Sequence, residues 1–181
     1  MIRFVSEKDI FDKWGGGADL KYSFEYLYKN KDTIISEMDE YYSVYISAFE
    51  KPYPEAMRFN PETFKSAHPD NIFLDLWSPA NYHEAASRYT TAETKGKGAI
   101  IATALQSYKS KNNIYPTSLA NLAPEILQVV PNDPFTDEPF KYISGTRASL
   151  WSVGPNMTDN NGRFVFDPKK GATSAGDIVI F

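Results

Sequence analysis

Two histidines are the residues best suited to acid–base or metal chemistry in this chain of 181 residues. His83 and Glu84 begin as the zinc-protease pattern H-E-x-x-H begins, but Ser87 stands at the second ligand position. Because one helix face then offers a single imidazole, the pattern does not predict a zinc site. His68 falls in a predicted break between helices, where we expect an exposed loop histidine.

Other patterns typical of catalysis are also missing from the sequence. It contains no cysteine, which excludes disulfides, thiolate nucleophiles and cysteine-based metal sites. It contains no G-x-S-x-G motif, and Lys95-Gly96-Lys97-Gly98 lacks the spacing of a phosphate-binding loop. Neighbouring carboxylates such as Asp39 and Glu40 face apart on a helix. We therefore predict no catalytic residues and no enzymatic activity, and an enzyme of unrecognised type is the least favoured alternative.

Charge and hydropathy exclude two classes of partner. The chain carries 19 Lys and Arg against 23 Asp and Glu, a net charge of −4 at pH 7. Residues 1–94 hold 10 basic and 16 acidic side chains, whereas residues 95–181 hold 9 and 7. Without a basic stripe, the chain is not expected to bind nucleic acid or an anionic membrane surface. No apolar run reaches the roughly 20 residues that span a bilayer, so the sequence as written predicts a soluble chain.

The elements that must position these residues change in type along the chain. Apolar residues recur at steps of three and four over residues 24–49, which predicts one helix or two consecutive helices, with Asp32 as the cap of a second. Pro52 ends this helical region, and Asn60-Pro61 predicts the start of another helix. His68-Pro69 is a break. The N-terminal region is therefore predicted to be helical.

A long helix, which we call the spine helix, is predicted from Ser78-Pro79 to about Lys111. Gly96 and Gly98 within it are expected to permit close approach of a neighbouring backbone. Beyond it, prolines forbid long helices, and Asn161-Gly162 predicts a hairpin turn. The remaining predictions are a short helix at 118–122 and strands at 140–143, 148–153, 163–166 and 178–181. The predicted fold class is α+β, with N-terminal helices and the spine helix packed on a small antiparallel sheet.

Tyrosines concentrate in the N-terminal half, where nine of the twelve precede residue 95. The spacing of this aromatic cluster predicts that most of its members are core residues. An exposed subset with acidic neighbours would instead bind a sugar, a peptide or a cationic ligand, because tyrosine combines apolar area with a hydroxyl. A periplasmic domain that binds a small ligand, glycan or peptide is therefore the alternative function. The cluster consists of Tyr22, Tyr26, Tyr28, Tyr41, Tyr42, Tyr45 and Tyr53.

The second half of the chain carries an ordered series of motifs. In order, they are A-L-Q-S-Y at 104–108, Y-P at 115–116, D-P at 133–134, the strand residue Tyr142, S-V-G-P-N at 152–156 and D-I at 177–178. In order and spacing, the series resembles the major (G-type) pseudopilin family of type II secretion, over about half of the chain from Thr94 to Phe181. The resemblance implies a pilin-like head, with the spine helix and sheet, at 80–181. Residues 1–79 are the helical N-terminal region that the apolar spacing predicts.

The resemblance implies a non-enzymatic, extracytoplasmic assembly or interaction module. Its expected partners are proteins of an envelope assembly, and its expected compartment is periplasmic or otherwise extracytoplasmic. Membrane attachment is expected only through an N-terminal anchor of a full-length protein, since this chain has helical, aromatic and acidic sequence where the family has a leader and a transmembrane helix. In this respect the chain is similar to uncharacterised bacterial envelope proteins in which a pseudopilin-like head follows a helical region.

The resemblance also implies a calcium site. Similar pseudopilins supply oxygen ligands from the loop after S-x-G-P and from a late D-D-I, and the matching residues here are Asn156, Asp159 and Asp177. Calcium takes roughly six to eight oxygen ligands. Asn156 and Gly176 replace two of the family's aspartates, which would weaken the affinity. The alternative is that residues 159–162 form only a turn and Asp177 caps the last strand.

Overall fold

The computed structural model describes residues 18–69, 71, 73–74 and 81–181, with side chains described from Asn30 onward. It confirms the predicted α+β class, because helices are combined with two small antiparallel sheets and a long helix packs on a sheet. The described parts of residues 1–44 and 62–78 form one compact unit, and those of residues 45–61 and 79–181 form a second. Residues 45–61 thus group with the predicted head, although they precede the boundary predicted after residue 79.

The first unit is built on helix α1 (Ala18–Phe49), whose last residues belong to the second unit. The helix is continuous, so the predicted second start at Asp32 is wrong. Asp32 is exposed, and an aspartate in a helix interior costs only up to about 0.7 kcal/mol relative to alanine, too little to end a helix. Ile34 and Tyr41, two turns apart, are buried.

Short helices follow α1, and prolines mark their starts. Helix α2 (Tyr53–Ala56) follows Pro52, and helix α3 (Pro61–Ala67) begins at the predicted proline and ends before His68. Proline suits the first helical turn, where the missing N–H has no intrahelical partner to lose.

Helix α4 (Tyr82–Asn112) is the predicted spine helix of the second unit. The predicted start at Ser78-Pro79 lies outside the described residues. The helix ends one residue after the predicted end, where Asn113 adopts a left-handed conformation with φ of 62° and donates its N–H to the carbonyl of Lys109. A 3₁₀-helix (Leu119–Leu122), capped by the Ser118 side chain, replaces the predicted short helix.

Two antiparallel sheets follow helix α4. Strand β1 (Asn132–Asp133) pairs with β2 (Glu138–Pro139), a pair that the sequence did not predict. Strands β3 (Lys141–Ile143), β4 (Ser149–Ser152) and β5 (Ile178–Val179) form the second sheet in that order. The strand predicted at 163–166 is reduced to a parallel bridge between Val165 and Asp177. It stops there because the next residue placed to donate toward β5 is Pro168, which has no N–H.

The core of the second unit lies between helix α4, the 3₁₀-helix and strand β4. Ile101, Leu105, Leu122 and Leu150 have 0% exposure and belong to one cluster. Truncating such a leucine to alanine costs about 2–5 kcal/mol of folding free energy. This core fixes the strand from which the candidate site extends.

The two glycines of helix α4 have different surroundings. A Cβ on Gly98 would lie 2.7 Å from Ile180 Cδ1, whereas a Cβ on Gly96 would meet no described atom within 4 Å. The predicted approach of a neighbouring backbone is therefore wrong at both glycines, because the Ile180 side chain packs on Gly98 and no described atom lies close to Gly96. Among the described residues, no helix has the combination of length and apolarity that crossing a bilayer requires.

Candidate functional site

The candidate site is the β4–β5 loop, residues 153–177, which joins two neighbouring strands of the three-stranded sheet. The loop bends at residues with positive φ, among them Gly154 (71°), Asn161 (58°) and Gly162 (69°). The predicted turn at Asn161-Gly162 is present, but it leads to the isolated bridge and not to a hairpin. Asparagine and glycine tolerate this backbone region better than other residues do.

The buried carboxylate of Asp177 stabilises this loop by accepting backbone N–H groups. Its side chain is 0% exposed and accepts backbone N–H bonds from Asn160 (3.1 and 3.2 Å to its two oxygens) and Gly162 (2.7 Å). Its own backbone N–H donates to Phe164 O at 2.6 Å, and its carbonyl accepts the N–H of Phe166 at 2.8 Å. Asp177 thereby fixes both the turn at 160–162 and the extended segment at 164–166.

Asp159 lies near Asp177 and bonds to different partners. Its Oδ1 accepts the Trp151 indole N–H at 3.0 Å and the Asn161 N–H at 2.8 Å. Burial raises the pKa of Asp177, the hydrogen bonds from Gly162 and Asn160 lower it, and the charge of Asp159 raises it again. The two carboxylates therefore repel each other within one loop.

Asn156, the third predicted ligand, lies in the same loop with its amide engaged in local bonds. Its Nδ2 donates to Ala175 O at 2.9 Å, and its Oδ1 accepts the N–H of Thr158 at 3.1 Å. The structure thus brings Asp159 and Asp177 into electrostatic contact and ties Asn156 to the opposite stretch of the loop.

One oxygen that the sequence did not single out lies in the same turn. Asn160 Oδ1 is buried and has no hydrogen-bond partner among the described residues. An orphaned amide oxygen next to two carboxylates is the donor type that calcium prefers. By contrast, both Asp177 oxygens and Asp159 Oδ1 already accept N–H groups, and the described residues contain no cluster of three or more His, Asp or Glu arranged for a metal. The only sequence signal for Asn160 is its place in the D-N-N-G turn.

Asp133 stabilises the turn at 133–137. Its carboxylate is 1% exposed and accepts bonds from the Phe135 N–H (3.1 Å), the Ser152 hydroxyl (2.9 Å) and the Val153 N–H (3.2 Å). Phe135 in this turn is fully buried. Burial raises the pKa of Asp133, although these bonds and Lys141 act against that shift.

Each histidine has a partner in the structure. His83 Nε2 lies 3.0 Å from Phe59 O, and Glu84 binds Arg88 at 2.7 Å and the Ala172 N–H at 2.9 Å. His68 lies in the predicted break after helix α3, but its side chain is not exposed as expected.

In the first unit, His68 is half-buried. Its Nδ1 lies 3.2 Å from Glu37 Oε1, and its ring stacks on Phe64 with 4.5 Å between centroids. A carboxylate and an aromatic ring in this unit give the imidazole contacts that the sequence pattern does not show.

The predicted core role of the aromatic cluster is confirmed for Tyr41 and Tyr53, which are 1% and 3% exposed. The side chains of Tyr22, Tyr26 and Tyr28 lie outside the described residues. In the second unit, Tyr82 is 2% exposed, and its ring meets those of Tyr45, Phe49 and Phe59 at centroid distances of 4.9, 5.3 and 4.8 Å. Such edge-on contacts are typical of packed aromatic cores.

The β4–β5 loop and the adjoining strand carry several exposed apolar side chains. Phe164 and Val165 are 67% and 66% exposed, Met157 is 43% exposed, and Val179 on the adjoining strand is 44% exposed. The sequence predicted strand residues at Phe164 and Val165 without predicting that both side chains face water.

The chain was also compared with known proteins. The scan against protein-family models, the search of curated proteins and the search of solved structures each find no match.

Proposed function

We propose that this chain is a non-enzymatic, extracytoplasmic, pseudopilin-like module that acts through protein contacts. The observation that carries the proposal is the β4–β5 loop, which Asp177 orders from within while Phe164 and Val165 face solvent. A preorganised surface with exposed apolar side chains binds a protein partner with little loss of conformational entropy.

The fold and the order of motifs support the pseudopilin-like part of the proposal. Helix α4 packs on a small antiparallel sheet, which is the arrangement that the resemblance implies for the head. The Y-P motif follows the end of helix α4, and the D-P, S-V-G-P and D-I motifs lie at the end of β1, at the end of β4 and at the start of β5. We accordingly place the module in the periplasm or another extracytoplasmic compartment, with proteins of an envelope assembly as partners.

Calcium is the cofactor that we propose for the loop. Asp159 and Asp177 would hold it, with oxygens from Asn156 and Asn160 in the same loop. A bound cation would offset the repulsion between the two carboxylates and give the orphaned Asn160 Oδ1 a partner.

Site-specific photocrosslinking in the native cells tests the proposed function. p-Benzoylphenylalanine replaces Phe164, and the matched control position is Ile143, which is 55% exposed at the opposite edge of the same sheet. We expect the chain in the envelope fraction and a protein crosslink at residue 164 that residue 143 does not give. A cytosolic chain, or equal crosslinking at both positions, would contradict the proposal.

A further inference from the structure

The backbone of Val165 forms the outer edge of the three-stranded sheet. The parallel bridge to Asp177 uses the carbonyl of Phe164 and the N–H of Phe166, at 2.6 and 2.8 Å. Strand β4 occupies the other side of β5, where the N–H of Ile180 donates to Leu150 O at 2.9 Å. Since neighbouring residues in a strand direct their hydrogen-bonding groups to opposite sides, the N–H and C=O of Val165 point away from the sheet.

At Phe164 and Val165 this edge carries no charge or proline, and the charged residues and Pro168 lie before and after these two positions. Natural edges are blunted by charged side chains, prolines or covering loops, because an open edge is a template for another strand. Here the edge residues Phe164 and Val165 are apolar and about two-thirds exposed, at 67% and 66%. Extended peptides bind such edges through backbone hydrogen bonds and alternate side chains.

The charge around the edge restricts the class of peptide. Arg163 precedes the two apolar residues in sequence, and Lys169 and Lys170 follow them. The acidic residues beside this stretch are Asp167 and the buried Asp177, which pairs with Val165. The Asp167 carboxylate already accepts the backbone N–H of Lys169 at 2.9 Å. Two copies of this edge placed side by side would repel each other, whereas an acidic strand would be attracted.

We propose that the Val165 edge binds an extended, acidic peptide segment of a partner protein by β-strand addition. The inference rests on the proposed function, since it names the chemistry of the partner that the module contacts. The backbone of Val165 provides the hydrogen bonds, Phe164 and Val165 provide apolar contact, and the three cations select carboxylates.

Fluorescence anisotropy with two labelled peptides tests the charge preference. The probe is Glu-Val-Thr-Val-Glu-Asp, and its counterpart replaces each acidic residue by lysine. We expect the acidic peptide to bind the full chain at least about tenfold more tightly than the lysine peptide. Lys170→Glu should weaken the acidic peptide severalfold, whereas Lys95→Glu on the exposed face of helix α4 should not. Absence of acidic-peptide binding, or equal binding of both peptides, would overturn the proposal.

The backbone contribution is tested with a matched pair of substitutions at one position. Val165→Pro removes the outward N–H and retains the inward bonds made by its neighbours, whereas Val165→Thr keeps the N–H and the β-branched shape. We expect the proline variant to lose about tenfold in affinity relative to the threonine variant. Equal affinity of the two variants would show side-chain contact without strand addition and would refute the inference.

Hydrogen exchange on the unmodified chain provides a reading that does not depend on folding of the proline variant. The acidic peptide should slow exchange of the Val165 amide and leave the Ile143 amide unchanged. Protection that rises with protein concentration alone would mean that a second copy occupies the edge. Binding to phosphatidylserine vesicles without protection of Val165 would identify a lipid surface. Either outcome overturns the acidic-peptide proposal, while the crosslink at residue 164 separately decides the proposed function.

Discussion

Two glycines only two residues apart in helix α4 point to different sides of the helix, and they allow the packing of Ile180 to be tested quantitatively. Replacing glycine by alanine in a helix interior stabilises the helix by about 0.8–1.0 kcal/mol through its higher helix propensity. At Gly96, where a Cβ meets no described atom within 4 Å, Gly96→Ala should stabilise the chain by about that amount. At Gly98 the new Cβ would lie 2.7, 2.8 and 3.1 Å from three atoms of Ile180, and overpacking of this kind costs about 1–3 kcal/mol. Gly98→Ala should therefore destabilise the chain by up to about 2 kcal/mol.

Urea unfolding followed by tryptophan fluorescence measures both variants. The difference between them should be about 2 kcal/mol, because the helix-propensity gain is common to both and cancels. Ile180→Val removes Cδ1, the nearest clashing atom, and should restore part of the stability of Gly98→Ala in a double-mutant cycle. Equal stabilisation by both alanines would refute the reasoning, since Ile180 would then not pack on Gly98.

Three further predictions concern the buried carboxylates. Asp177→Ala leaves the N–H groups of Asn160 and Gly162 without their acceptor. It should lower the free energy of unfolding, measured with urea, by about 2–6 kcal/mol, less the gain from removing a buried charge. If Asp159→Ala cost as much, the bonds to Asp177 would not be what stabilises the loop. Millimolar calcium, but not magnesium, should raise the melting temperature of the EDTA-treated wild-type protein. The same calcium should not raise the melting temperature of Asp159→Ala or Asp177→Ala. An unchanged melting temperature of the wild type would contradict the calcium proposal. Burial raises the pKa of Asp133 and Asp177 above the ordinary 3.8. Each protonated carboxyl therefore contributes its full stabilisation below pH 3.8, and this stabilisation is lost as the pH rises through the pKa of the folded state. Asp133→Asn should therefore lose less stability than the wild type between pH 4 and pH 7, and an identical pH dependence of the two proteins would exclude the shift at Asp133.

The fold was predictable where a repeating pattern decides it. Apolar spacing identified the helices that became α1 and α4, and proline identified the start of α3. The continuity of α1 through Asp32 was not predictable, because an aspartate can stand either at a helix cap or at an exposed position inside a helix. The bridge at Val165 was overestimated as a strand, since β-branched and aromatic residues indicate extended backbone without giving the number of partners.

The site was predictable in part, because its contacts are distant in sequence. The family resemblance pointed to Asp159 and Asp177, which the structure brings into one loop. The bonds from Asn160 and Gly162 to Asp177 span 17 and 15 residues, and no local pattern encodes such a pairing. Asn160 Oδ1, which has no hydrogen-bond partner among the described residues, lies in the turn that this pairing closes.

Asp177 connects the calcium proposal with the Val165 edge. Its side chain closes the turn at 160–162, and its backbone holds Phe164 and Phe166, so any change in the carboxylate acts on the edge through one residue. A buried carboxylate beside Asp159 is an unfavourable arrangement that either a proton or a cation would relieve. If calcium binds, it should therefore also order the edge, and the acidic peptide should bind more tightly with calcium than with EDTA. If calcium does not bind, the N–H groups alone fix Asp177, and peptide affinity should be the same in both buffers.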